Sequence, residues 1–223
     1  MTDDKKPSTT RRHIIEAAAH EFAVKPYTLV NLDDILTHAD VSKGAMYTHF
    51  RSKHALAIAV VKHRADLMQS SVDELRTPPS SGLETLIDIT YLIATADLSE
   101  DLARAALNLL ESVGRFDGFQ VKVIDIWITR LSDIVRQAIA NGDVLETSDP
   151  VAVARMIVTM YLGLRQTSNL DEPKSLIGDL ESTWLLVLPG FTDPQRLDYL
   201  SGFIRRRSAL AIRNTAPLDK RTL

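Results

Sequence analysis

Between Asn31 and Lys53 the sequence reads NLDDILTHADVSKGAMYTHFRSK, and two short helical patterns lie there with only three or four residues between them. Leu32, Ile35, Leu36 and Ala39 recur at offsets of 0, 3, 4 and 7, which puts one apolar stripe on a first helix. Asn31 stands where its side chain can cap the free amides of that helix. Asp40 and Val41 make the turn, and Ser42 caps a second helix. There Ala45, Met46 and Phe50 take the apolar side, leaving Lys43, Tyr47, Thr48 and His49 outward. That spacing predicts a helix-turn-helix. A helix so short, with hydroxyl, imidazole and ammonium groups on its outer side, is expected to touch a partner.

A longer helix precedes it, from about Thr9 or Thr10 to Ala23, with Ile14, Ile15, Ala18, Ala19 and Phe22 inward. Together the two stretches resemble the N-terminal domain of TetR-family repressors, whose pattern ends in Gly-x-x-Tyr-x-His-Phe-x-x-Lys. Ile14, Ala18, Phe22, Ile35, Val41, Ser42, Lys43, Gly44, Tyr47, His49, Phe50 and Lys53 carry the match. Leu36 stands where the family mostly has Ala, Asp40 where it usually has Gly, and Lys25-Pro26 where a Gly commonly ends the first helix. Asp tolerates the left-handed backbone that a turn requires, and Pro stops a helix as Gly does.

The formal net charge of -3 hides an asymmetry. Residues 1–64 hold ten Lys and Arg against seven Asp and Glu, whereas the remainder holds sixteen against twenty-two, and all six histidines fall in the first 63 residues. A basic head on an acidic body suits a chain whose head alone meets a polyanion, and taken without the motif it is equally a merely solvated surface. The 223 residues, 45% hydrophobic, suffice for one large or two modest cores. The absence of cysteine excludes disulfides and thiolate chemistry. With no signal-peptide core at MTDDKKPSTTRR and no apolar run long enough to cross a bilayer, a cytoplasmic protein without membrane attachment is expected.

Residues 1–8 read as a flexible arm, and Lys5, Lys6, Arg11 and Arg12 could lie along phosphates or merely be solvated. His13, Glu16 and His20 share a helical face that could hold a metal or simply be exposed; no further ligand is in view, and no metal or cofactor is expected. Ser52 caps a long helix reaching about Arg76, with Leu56, Ala59, Val60, His63, Leu67 and Met68 on its apolar side. Thr77-Pro-Pro-Ser-Ser-Gly82 breaks it. Helices are then predicted at about 83–96, 99–113, 119–141, 149–169, 175–188 and 193–214, with no competing strand signal. The expected organisation is all-α: a three-helix DNA-binding domain over residues 1–52 and a helical ligand-binding and dimerisation domain over 53–223. The helix carrying Val151, Ala154, Ile157, Val158, Tyr161 and Leu164 is apolar almost all round, so either a dimer interface or a fully buried central helix would explain it.

The body resembles the gamma-butyrolactone autoregulator receptors within that family, through Ala105–Arg115, Trp127 with Leu131, Ala140–Leu145, Asp149–Arg155, Gly163 and Trp184–Gly190. The resemblance implies that Trp127 lines a ligand pocket; read from the residues alone it is equally an ordinary core tryptophan. Tyr91, Thr159 and Tyr161 are candidate polar partners of a ligand, Leu110 and Val113 candidate walls for its tail, and Trp184 is expected to pack helix on helix.

An enzyme is not expected, because GxGxxG, phosphate-loop, HExxH and GxSxG patterns are all missing. A helical protein-binding adaptor would not need the Tyr47 and Lys53 surface. The expected function is a homodimeric repressor that binds a pseudo-palindromic double-stranded DNA operator and is released by a small autoregulator, a butyrolactone, butenolide or furan, controlling secondary-metabolite genes. A TetR-like regulator of efflux or lipid metabolism with an unrelated hydrophobic ligand is the alternative. Its DNA-contacting set would be Thr9, Asn31, Ser42, Lys43, Gly44, Tyr47, Thr48, His49 and Lys53, with Thr9 at a helix start suited to phosphate.

Overall fold

The computed structural model describes residues 5–75, 81–115, 118–216 and 218, with side chains placed from Thr9 onward. Of the arm expected at residues 1–8, residues 1–4 lie outside these, as does most of the break expected at 77–82, while residues 5–8 belong to the first helix. Among the described residues the chain is all-α: α1 (Lys5–Val24), α2 (Leu32–His38), α3 (Lys43–His49), α4 (Lys53–Leu75), α5 (Gly82–Ser99), α6 (Asp101–Ser112), α7 (Phe119–Ala140), α8 (Pro150–Thr167), α9 (Pro173–Val187) and α10 (Leu197–Asn214). Short 3-10 turns occupy Leu188–Gly190 and Pro194–Arg196, and an isolated bridge pairs Val144 with Thr192.

Two compact units result. One takes residues up to Gln69 together with Glu100–Val121; the other takes Ser70–Ser99 together with the chain from Lys122 to residue 218. The unit that holds the helix-turn-helix therefore extends past residue 52, where the sequence suggested a boundary, and includes α6. Its core explains why. Ile14, Ile15, Ala18, Ala19 and Phe22 of α1 are at most 1% exposed, as the periodicity predicts, and Ala105, Leu109 and Leu110 of α6 are buried with them. Asn108 Nδ2 donates to the carbonyls of Phe22 and Ala23 at 3.0 and 3.3 Å, which satisfies two of the acceptors left open at the end of α1. The ring of His20 shares a 2.7 Å hydrogen bond between Nδ1 and Asp101 Oδ2, and among the described residues no cluster could hold a metal. In α4, Leu56, Ala57, Ala59, Val60 and Val61 are buried, but burial stops there: Leu67, expected on the apolar side, is 45% exposed.

The second unit is built round buried polar pairs. Trp184, fully buried, donates Nε1–H to Thr90 Oγ1 at 2.9 Å, and Tyr91 shares a 2.6 Å hydrogen bond with Ser208. Asp97, also fully buried, receives Arg165 Nε at 2.8 Å and the Tyr161 hydroxyl at 3.2 Å. Each group would cost free energy if buried alone, so the pairing fixes which turns of α5 face α8, α9 and α10. At Gly82 a Cβ would lie 2.4 Å from the backbone N of Ala138, so α5 can start against α7 only without a side chain there. Among the described residues no helix is long and apolar enough to cross a membrane.

Candidate nucleic-acid interface

α2 ends as local chemistry dictates. The Val41 amide donates to the Leu36 carbonyl at 3.1 Å and the Asp40 amide to the Thr37 carbonyl at 3.2 Å, the two bonds of a Schellman stop. Such a stop needs a left-handed residue, and Asp40 supplies it at φ 51°. Gly142 closes α7 in the same way at φ 75°, with amide bonds from Asp143 to Ala138 and from Gly142 to Ile139. Ser42 then opens α3, its Oγ accepting from the Ala45 amide at 3.2 Å. Met46 and Phe50 are buried, which turns the opposite face outward.

That face carries the expected residues. Lys43, Gly44, Tyr47 and Thr48 are exposed, Tyr47 by 48%, and His49 is half-buried with its ring 6.4 Å from that of Phe50. Thr48 Oγ1 donates to the Ala45 carbonyl at 2.6 Å and keeps lone pairs free to accept. Lys43 Nζ lies 3.9 Å from Asp33 Oδ1, both side chains largely exposed. At Gly44 a Cβ would meet only Ser42 Oγ, at 3.9 Å, so nothing in the chain itself requires glycine. Beside α3 an open cleft of about 400 Å³ is lined by Asp33, Leu36, Thr37, Asp40, Val41 and Ser42. Its two carboxylates, Asp33 and Asp40, would repel a phosphate, so this cleft does not suit a polyanion.

Three expected residues differ from the expectation, Asn31 in its bonding and Thr9 and Lys53 in their place. Asn31 precedes α2 but makes no side-chain cap bond. Thr9 is not at a helix start, because α1 begins at Lys5; Pro7 fits a first turn, where its missing N–H has no intrahelical partner to lose. Lys53 turns inward, Nζ donating to the carbonyls of Tyr27 at 2.9 Å and Val30 at 2.8 Å and lying 4.4 Å from the centroid of the Tyr27 ring. Tyr27, which the sequence reading missed, stacks on Phe22 at 5.7 Å, and burial pushes its phenol above the ordinary range. Only its aromatic character next to Pro26 could have singled it out.

The expected ligand residues divide between the units. Leu110 and Val113 are buried in the unit that holds the helix-turn-helix. In the other unit Trp127 is half-buried on α7, while Tyr91 and Tyr161 are buried with their hydroxyls bonded to Ser208 and Asp97. Thr159, expected inside an apolar stripe, is exposed and donates to the Arg155 and Met156 carbonyls of its own helix at 2.9 and 3.0 Å. It sits on the outward stripe of α8 with Ala152, Arg155, Gly163 and Gln166, so this helix is not apolar all round. Trp184 packs helix on helix, as expected.

Residues 14–60 match the model of the bacterial regulatory proteins of the tetR family. The A-factor receptor protein of Streptomyces griseus is 29% identical over 87% of this chain and 68% of its own length. CprB from Streptomyces coelicolor, solved in complex with its operator sequence, is 26% identical over 90% of this chain and 98% of its own, at a TM-score of 0.73. With full-length TylP, a TetR regulator from Streptomyces fradiae, the identity is 30% over 96% of this chain and 95% of that one, at a TM-score of 0.70, and the chain belongs to the TetR family of transcriptional regulators, which are not enzymes.

Proposed function

We propose that this regulator is a homodimeric repressor that grips a pseudo-palindromic operator through α3 and is released by a small autoregulator of the butyrolactone, butenolide or furan type, controlling secondary-metabolite genes. The observation that carries the reading is the outer face of α3, where Lys43, Tyr47 and Thr48 stand clear of the fold beside a glycine that the fold does not need. Ammonium and hydroxyl groups on a short protruding helix match phosphates and base edges in a major groove, and Gly44 lets the helix backbone come close. Two such heads related by a two-fold axis read two half-sites. On the outward stripe of α8, Ala152, Thr159 and Gly163 support a second copy packing there, because small side chains allow close approach.

The half-buried indole of Trp127 supports a pocket wall for an alkyl tail. The ligand would act by preferring one arrangement of the dimer; about 2.7 kcal/mol of preference lowers operator affinity 100-fold. The test is Tyr47→Ala, assayed against operator duplexes selected from random DNA. Operator binding should weaken by at least ~1 kcal/mol while helical circular dichroism stays unchanged. Undiminished affinity in a folded protein rules the α3 face out. Trp127→Ala should leave DNA binding intact yet blunt release by an alkyl-substituted butyrolactone; equal release from both proteins makes Trp127 core.

A further inference from the structure

The sequence pattern places Lys53 among the phosphate contacts, and its geometry points elsewhere. Lys53 is the first residue of α4, and two of its three N–H donors are held by the carbonyls of Tyr27 and Val30, at 2.9 and 2.8 Å. Its charge lies over the Tyr27 ring at 4.4 Å, and that ring stacks on Phe22, a core residue of α1. The segment it grips is the whole entry to α2. A turn closes from the Leu29 amide to the Pro26 carbonyl at 2.9 Å, Val30 is 1% exposed, and Asn31, the residue in the cap position, gives α2 no side-chain cap. The segment that enters α2 is thus held from outside by an ammonium on α4 that donates to its carbonyls, and the Schellman stop then sets α3 at a fixed offset from α2.

We infer that Lys53 is a positioning residue for operator recognition: it fixes the entry of α2 and through it the angle at which α3 is presented, and it is not a principal phosphate contact. The inference rests on the DNA-binding reading of α3 and adds a second layer to it. The two roles leave different traces in salt. A phosphate contact contributes to specific and non-specific binding alike, and its loss flattens the slope of log affinity against log salt by about 0.9. Loss of a positioning residue disturbs only the register of base contacts.

Two variants of the full-length protein test this by fluorescence anisotropy, on the selected operator and on a random duplex, from about 50 to 200 mM salt. Lys53→Met keeps the apolar stem and removes every donor. Lys53→Arg keeps the charge but replaces a point ammonium with a planar fork that is not interchangeable with it at a stacked, two-carbonyl site. Operator affinity should fall about tenfold in Lys53→Met and severalfold in Lys53→Arg, while random-duplex affinity and the salt slope stay at wild-type values. A slope flatter by about 0.9 in Lys53→Met, with Lys53→Arg binding as wild type, would make Lys53 a phosphate contact and overturn the inference. Unchanged operator affinity well below the unfolding temperature would leave Lys53 a stabiliser only and overturn it too. If Lys53→Met does not fold, the Lys53→Arg comparison decides alone. Wild type that binds neither duplex overturns the DNA-binding reading itself, an outcome separate from any effect of the variants.

Discussion

The outer face of α3 and the interior of the second unit hold similar chemistry with opposite fates. Tyr47 and Thr48 present hydroxyls to solvent, whereas Tyr91, Tyr161 and Thr90 have theirs bonded to Ser208, Asp97 and Trp184. Lys43 has a distant, exposed carboxylate at 3.9 Å; Arg165 is clamped on a buried one at 2.8 Å. The difference separates groups available for recognition from groups that hold helices together. Under the proposed function, a ligand in the second unit would be selected by apolar shape more than by these hydroxyls, since taking one over would break a bond inside the fold.

The largest test of that contrast is Asp97→Ala. It strands the Arg165 charge in the interior and should cost about 3–5 kcal/mol in urea unfolding, while replacing the pair together, Asp97→Leu with Arg165→Met, should recover most of the loss. A cost under ~1 kcal/mol would mean that water reaches the pair. On the outer face of α3, by comparison, Lys43→Ala should leave stability within about 0.5 kcal/mol.

Burial pushes the Tyr91 phenol up to about 12, with the Ser208 hydrogen bond acting in the other direction. Its folded-state value lies above the unfolded one, so its contribution to stability is fully present below about pH 10 and is lost as pH rises through about 12. Thermal unfolding of wild type and Tyr91→Phe should therefore converge over that window, by up to about 2–3 kcal/mol. Parallel curves would show that the hydroxyl titrates freely.

Gly44→Ala sharpens the contrast from the side of the head. In the first turn of α3, where a Cβ would make only an ordinary contact with Ser42 Oγ, alanine should stabilise the fold by about 0.4–1 kcal/mol, yet operator affinity should drop because the added methyl keeps the backbone from the DNA. More stable protein with equal or tighter binding would take Gly44 out of the interface. The smallest expected effect is Asp40→Gly, which relieves a left-handed residue at the stop of α2 and should add about 0.5 kcal/mol with no change at the operator.

What could be read from the chain alone follows the range of the interactions. Ser42 and Ser52 cap helices as expected because a cap is set within three residues. The left-handed Asp40 was equally legible, since the stop that needs it lies within α2 and the two residues after it. Thr9 was misplaced because α1 starts four residues earlier, at Lys5, within the charged and polar stretch that reads as an arm. Lys53 and Tyr27 are 26 residues apart, and His20 and Asp101 are 81 apart; no local pattern carries such pairings. The grouping of α6 with α1 was hidden for the same reason, and so was the outward stripe of α8, whose composition reads as apolar until its neighbours are known.

The interleaving of α6 with the head bears on how the protein is made. A ribosome delivers α1 to α3 first, but the Asn108 amide that closes the end of α1 and the apolar side of α6 that lies in the same core arrive some eighty residues later. The recognition unit cannot complete itself as a nascent N-terminal fragment. It must wait, its α1 surface uncovered, until synthesis has passed through α6, so a chain truncated after the long helix should be handled by the cell as an unfinished protein and not as a small constitutive repressor.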